Sequence, residues 1–341
     1  MSYYAGIDVS LKEVFISILD SSGKVLKEGS VKNNPSAIDG FLAAFKGSYD
    51  RIGLESGQFS IYLSKELKAL GYDITCVDAR HMAAGLSARI NKNDKNDARG
   101  IANMLRAGLY KEVYIKSDSE CEQKILLQSR RQLVEQRKRL RNTVRGLLKL
   151  YGYTVEAQSG DKKFADAVRK CSNGLSAAVH LSFSSTMTVL EVVVESIAKL
   201  DKELIRVARH IPDCRLLMTT PGVGVVTAMT YITTIGEAAR FKDSAMVGAY
   251  LGLTPKQYAS GEVNRQGSIS RMGSSQCRSM LYEAAHVLLV RCKRKCNIRT
   301  WGLKLAKKKG MKKAIVAVAR KLAVTMHRML INQAEFCLQG M

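Results

Sequence analysis

The 341-residue sequence predicts an α/β fold followed by a mainly helical one, in three segments. These are a mixed sheet flanked by helices over 1–116, a basic helical coiled coil over 117–214 and a mainly helical segment over 215–341. Three observations carry this reading. Short strand signals open the chain and then alternate with helical periods. Two long stretches keep apolar residues at 4-3 spacing, the period of helices that pack along a seam. Charge is divided unevenly: residues 1–115 carry 15 Lys and Arg against 13 Asp and Glu, whereas 116–341 carry 39 against 17.

In the first segment, Tyr3–Val9, Val14–Leu19 and Val25–Val31 read as strands. The turn Ser21-Ser22-Gly23-Lys24 separates the last two, and together they form an antiparallel meander. The pattern then alternates: a helix about Ser36–Lys46, a strand Arg51–Glu55, a helix Ser60–Leu70, a strand Ile74–Val77 and helical periodicity from Asp94 to Leu105. From Glu120 to Tyr151 a helix carries Leu126, Leu133, Leu140 and Leu147 at heptad spacing, with Arg130, Arg131, Arg137, Lys138, Arg139, Arg141 and Arg145 between them. A second helix keeps Leu190, Val193, Ile197, Leu200, Leu204, Val207 and Ile211 in 4-3 alternation until Pro212 stops it. The two should pair, within one chain or between two. Residues 159–185 between them show no clear pattern. From about Arg215 the chain runs through Thr220-Pro221-Gly222-Val223-Gly224 and an apolar helix, then a turn-rich loop Leu253–Gly273, then helices rich in Lys and Arg.

The total of 54 basic against 30 acidic residues, a net charge of +24, exceeds what solubility requires and suits a polyanionic partner. A near-neutral segment that keeps its carboxylates, ahead of a strongly basic body, suggests that one part does chemistry while the rest grips nucleic acid. Charge alone fits a packaging protein equally well. The unbroken apolar stretches, such as Ala284–Val290 around His286, fall short of a membrane span, and Met1-Ser2-Tyr3-Tyr4 has no signal-peptide pattern. No membrane partner and a cytoplasmic location are therefore expected. The 8 cysteines contain no CxxC pair and read as reduced thiols.

The candidate chemistry lies in four acids. Asp8, in Gly6-Ile7-Asp8-Val9-Ser10, ends the first strand, where the apolar residues before it anchor the strand and leave the carboxylate at its edge. Glu55 ends the Arg51–Glu55 strand in the same way. Asp94 and Asp97 are three apart and share one helix face. Carboxylates this close repel unless a cation lies between them, and hard Mg²⁺ suits such oxygens and the needs of phosphoryl transfer. Each acid also has a plainer reading, as a helix-start charge or a strand-end cap. Gly222 and Gly224 could let backbone N–H groups approach a phosphate or could simply connect two helices. Trp301, Tyr250 and Tyr258 could stack on bases, although a lone Trp on a helix is more often core. The stretch Lys307-Lys308-Lys309-Gly310-Met311-Lys312-Lys313 favours phosphate contact.

GIDVS in the meander, the LES strand end, NDKNDARGIA on its helix, and the late TPGVG and YLGLTPKQYASGE through SRMGSSQCRSMLYEAA resemble the DEDD transposases of bacterial insertion sequences. This is the "one-ten" family, described as bridge-RNA-guided recombinases, and the resemblance covers nearly the whole chain. It implies a RuvC-like, ribonuclease-H-type first domain whose four acidic Mg²⁺ ligands map onto Asp8, Glu55, Asp94 and Asp97. It implies a transposase domain over 215–341 whose nucleophilic serine matches Ser260, a residue that otherwise reads as ordinary turn chemistry. Asn93 stands where relatives often carry a small hydroxyl residue. The resemblance further implies a bridge-type guide RNA, target and donor double-stranded DNA as partners, a phosphoserine intermediate, a homo-oligomer and a nucleoid-associated place in a bacterial cytoplasm. The rival readings are a RuvC-like Mg²⁺-dependent junction nuclease in which water attacks, and a non-catalytic basic nucleic-acid-binding protein.

Overall fold

The computed structural model describes the chain except residues 1, 87–92, 157–159, 261–262 and 339–341. It divides into two compact units, Met1–Ser117 and Asp118–Met341. The first unit runs β1 (Tyr3–Val9), β2 (Glu13–Leu19), β3 (Val25–Lys32), α1 (Pro35–Leu42), β4 (Tyr49–Glu55), α2 (Ser60–Ala69), β5 (Ile74–Val77), α3 (Ala79–Leu86) and α4 (Asp94–Arg106). The strand order is β3-β2-β1-β4-β5: antiparallel through the meander, parallel from β1 to β4 and from β4 to β5. This is the mixed sheet read from the sequence.

The meander closes at Gly23, whose φ of 90° suits glycine, while Asp20 Oδ1 accepts from the backbone N–H of Ser22 and Lys24. Both faces of the central strand are covered, and Ala5, Gly6 and Ile7 are all buried. On one face Ile7, Ile16 and Leu54 pack with Ile38 and Leu42 of α1 and Leu63 and Leu67 of α2. On the other, Ile101 and Leu105 of α4 pack with Val77 and with Met82 of α3. α1 is shorter than expected, ending at Leu42 with a tighter turn over Ala43–Phe45.

The second unit runs α5 (Asp118–Leu148), α6 (Asp161–Ser172), α7 (Ala177–Arg209), α8 (Pro212–Met218), α9 (Val225–Ile235), α10 (Ala245–Tyr250), β6 (Pro255–Ser260), β7 (Val263–Ile269), α11 (Ser275–His286), α12 (Asn297–Lys309) and α13 (Met311–Asn332). Leu127 of α5 and Leu204 and Ala208 of α7 share one core with Tyr231, Leu281, Val318 and Leu322. The coiled-coil and C-terminal segments expected to part near 214 thus lie in one unit. Val144, Leu148, Phe164, Val168, Phe183 and Leu190 form a second, smaller core. Part of the stretch without sequence pattern, 159–185, folds as α6 and the start of α7; residue 159 lies outside the described residues.

α7 buries Leu190, Val193, Ile197 and Leu204, the stripe read from its spacing, and ends ahead of Pro212, the first residue of α8. It is also long and apolar enough, by length and composition, to cross a membrane, with an 18-residue window of mean hydropathy 1.5. On α5 the seam differs from the expectation. Gln123, Leu127, Val144 and Leu148 face inward, while Leu147 is 46% exposed, so the stripe runs one residue beyond the heptad leucines. The seam therefore contains arginines, and acids of α6 and α7 meet them. Arg130 pairs with Asp201, and Arg141 reaches Asp161 at 2.7 Å while lying over the Phe164 ring at 4.5 Å. Arg137 also reaches Asp161 at 3.5 Å, Arg131 pairs with Glu135, and Arg145 donates to the Val155 carbonyl. Much of the charge expected to grip nucleic acid on this helix is tied within the protein, and Lys138 and Arg139 are left exposed on it.

The expected loop Leu253–Gly273 is instead a two-stranded hairpin, β6 paired antiparallel with β7. Lys256, Gln257, Tyr258, Arg265 and Gln266 on it are all exposed. Gly222 has a φ of 89°, and a Cβ there would stand 2.5 Å from the Ala284 carbonyl oxygen of α11. Close packing therefore accounts for this glycine, as a connector would require. All eight cysteines are free.

Candidate active site

Parallel pairing places Asp8 and Glu55 side by side. Ile7 of β1 is in register with Leu54 of β4, and the two acids are the next residues along, at the C-terminal ends of neighbouring parallel strands. Ligands of α/β sheets gather at that edge because the chain turns away there and leaves side chains and backbone groups free. Ser56 makes the turn, its N–H bonded to the Val77 carbonyl at 2.8 Å and its hydroxyl accepting from Ala79 N–H.

α4 brings the other two acids. Its backbone lies directly on β1, since a Cβ on Gly6 would stand 2.1 Å from the Ala98 carbonyl oxygen and 2.6 Å from the Ala102 nitrogen. Ala98 follows Asp97 directly, so the contact that requires glycine at position 6 also delivers the start of α4 to the Asp8 end of β1. Asn93 caps this helix, accepting from Asn96 N–H at 2.8 Å, which is the task a small hydroxyl residue would perform there. Lys95 and Arg99 hold Glu28 of β3, the latter with two hydrogen bonds of 2.6 and 2.9 Å. Replacing Gly6 by alanine should therefore push α4 off the sheet, costing about 3 kcal/mol from overpacking and disabling the site, measurable by denaturant unfolding of the purified chain. Unchanged stability would mean that α4 can move without loss.

The convergence shows in the electrostatics of Asp8. Burial comes first, and the charges of Asp94, Asp97 and Glu55 add to it, so that its carboxyl is raised from 3.8 to about 6. Three of the four acids thus act on the fourth. Asp78, just past β5 on the same edge, is a different matter: its carboxylate caps α3 through Arg80 N–H and pairs with the Arg80 guanidinium. Among the described residues no three His, Cys, Asp or Glu side chains stand close enough together to chelate one ion as placed here. The donor set still fits a hard divalent cation in its chemistry. It offers carboxylate oxygens only, and their mutual repulsion is what a cation relieves.

Ser260 belongs to the second unit, at the exposed end of β6, in register with Val263 across the hairpin. Residues 261 and 262, the Gly-Glu of the motif, lie outside the described residues. Of the aromatics, Tyr258 is 60% exposed beside Ser260, while Tyr250 packs edge-on against Phe241 under the Arg240 guanidinium.

Comparison with known sequences separates the four acids from the serine. A DEDD transposase profile of the IS110 type matches residues 5–153, which hold all four acids. A second profile, described as "Transposase IS116/IS110/IS902 family", matches 214–299, which hold Ser260. The chain belongs to the IS110 family of transposases. This IS110-type transposase is 28% identical over 337 residues to the transposase for insertion sequence element IS1111A of Coxiella burnetii, covering 97% of this chain and 90% of that one. It is 24% identical over 276 residues to a Pseudomonas aeruginosa protein described as "Probable family 20 transposase", covering 80% and 81%. Among solved structures, T. thermophilus RuvC in complex with Holliday junction substrate aligns with 33% of this chain at 13% identity and a TM-score of 0.24, too slight a likeness to carry an argument. As a DEDD-type transposase the protein is a DNA-recombining enzyme.

Proposed function

We propose that this transposase is an RNA-guided recombinase that cuts and rejoins target and donor DNA through a phosphoserine at Ser260. Asp8, Glu55, Asp94 and Asp97 of a RuvC-like domain would hold Mg²⁺. The observation that carries the reading is the coupling of three acids onto Asp8 at the C-terminal sheet edge, a charge arrangement that a structural role does not require. When bound, Mg²⁺ would polarise the scissile phosphate and favour an ionised nucleophile. The strands set the backbone positions of Asp8 and Glu55, and the capped start of α4 sets those of Asp94 and Asp97, so the four acids are brought to one region before DNA arrives. The Ser260 oxygen would form a bond to phosphorus as the bond to one strand end breaks, and the proton that the serine hydroxyl gives up would pass through solvent to the freed strand oxygen, which leaves as a hydroxyl. Rejoining is the reverse with the hydroxyl of another strand, so no ATP is consumed.

The exposed hairpin supports this placement of the serine. A bare two-stranded ribbon is marginal by itself in water, and a ribbon of this width fits the major groove of duplex DNA. The guide RNA and the homo-oligomer belong to the same proposal. The inward stripe of α7 is buried within the chain, whereas its outward face, with Leu181, Val189 and Val192 exposed, offers a surface to a second copy. Covalent trapping tests the chemistry. Wild-type protein should yield a protein–DNA adduct that survives denaturation, and Ser260→Ala should yield none. Cleavage that persists undiminished in Ser260→Ala would assign attack to water and overturn the serine mechanism.

A further inference from the structure

The outer face of α13 forms a groove that the site described above does not use. Along that helix Lys313, Val316, Arg320, Val324 and Arg328 recur every three or four residues and so share one face, opposite the buried face of Ile315, Val318 and Leu322. Leu253 and Ile269, at the root of the hairpin, complete an apolar floor. Trp301 of α12 closes one end, around a cavity of about 580 Å³.

Its chemistry is specific. Lys313, Arg320, Lys321 and Arg328 line the groove together with no carboxylate, and none of the four forms an ion pair among the described residues. Trp301 is 38% exposed, with the Lys321 ammonium over its ring at 4.6 Å. Lys312 and Lys313 sit in the first turn of α13, where the helix dipole disfavours cations and favours an anion. Apolar floor, aromatic wall and cationic rim together match a polynucleotide whose bases are unstacked. Its base faces would lie against tryptophan and aliphatic side chains, and its phosphates on lysine and arginine. A duplex does not present base faces. Among the described residues, Thr325 and the Trp301 indole N–H are the uncharged hydrogen-bonding groups of the lining, a sparse set for reading a ribose 2′-hydroxyl.

We propose that this groove binds an unpaired stretch of DNA, with a base stacked on Trp301 and successive phosphates along Lys313, Arg320, Lys321 and Arg328. By helical rise the rim from Lys313 to Arg328 spans about 22 Å, room for about four nucleotides. The site is independent of Ser260 and of the four acids, and it holds whether serine or water attacks.

The test uses the full chain, whose single tryptophan reports on this groove alone. Titration with an end-labelled oligothymidylate should quench Trp301 emission in step with the anisotropy of the label, while duplex DNA of equal length binds without quenching. Trp301→Ala should weaken oligothymidylate binding about 5- to 150-fold, and Trp301→Phe should keep most of it. Arg328→Glu, on the exposed face, should weaken it with the circular dichroism unchanged. Oligothymidylate that binds with Trp301 emission unchanged would overturn the proposal, as would equal quenching by duplex. An RNA oligomer that quenches at lower concentration than DNA would overturn the assignment to DNA.

Discussion

Asp8→Asn should abolish strand transfer and, in metal-free buffer above pH 7, make the protein more stable. Asp8 ionises at about 6 in the folded chain against 3.8 ordinarily, so between those values the folded state keeps a proton that the unfolded state has lost. Stability is therefore greatest with respect to this group below about pH 4, falls as pH rises through 6, and stays reduced above it. The shift corresponds to about 3 kcal/mol at most, and partial exposure of Asp8 to solvent brings it to about 1–2 kcal/mol. Asparagine removes the buried charge and with it that cost, so at pH 8 without metal the variant should melt a few degrees higher, whereas at pH 4 the two proteins should melt together. Adding Mg²⁺ should raise the wild-type melting temperature and move the variant little. Activity should fall about a thousandfold, the scale of several kcal/mol of lost transition-state stabilisation. A variant less stable than wild type at pH 8 without metal would show that the acids are not electrostatically strained, and would remove the main physical support for the metal site.

The opposite behaviour of α5 shows where sequence reading stops. Its heptad leucines describe a plausible seam, but a stretch with Leu at 126 and 127 and again at 147 and 148 supports two adjacent registers, and the inward one includes Arg130 and Arg141. Those arginines are compensated by Asp201 and Asp161, which lie 71 and 20 residues away and leave no local trace. The hairpin read as a loop because its described residues are exposed on both strands apart from Ile269 at its root, which leaves little alternation to detect. The acid positions were clear because strand ends and an i, i+3 pair are local features. Gly6 was not, since its reason is the backbone of α4, more than ninety residues on. The serine needed the family resemblance, and its exposed place at the end of β6 adds no chemical signature of its own.

Mixing two inactive proteins should restore activity if, in the proposed homo-oligomer, the acids of one subunit meet the serine of another. Ser260→Ala protein keeps an intact acid set and Asp8→Ala protein keeps an intact serine. In a randomly assorted dimer about half the particles contain one of each, and in those one of the two composite centres receives both intact parts, so roughly a quarter of centres should recover. The measurement is recombination by each protein alone and by the pair after co-expression, with one chain enlarged by a tag so that the two separate on a denaturing gel. The labelled DNA should then migrate with the Asp8→Ala chain, which carries the only competent serine in the mixture. Mixed oligomers that form and stay inactive would place serine and metal in the same chain. Labelled DNA on the Ser260→Ala chain would name a different nucleophile, and the search would pass to other hydroxyls within residues 214–299, the region matched by the transposase profile.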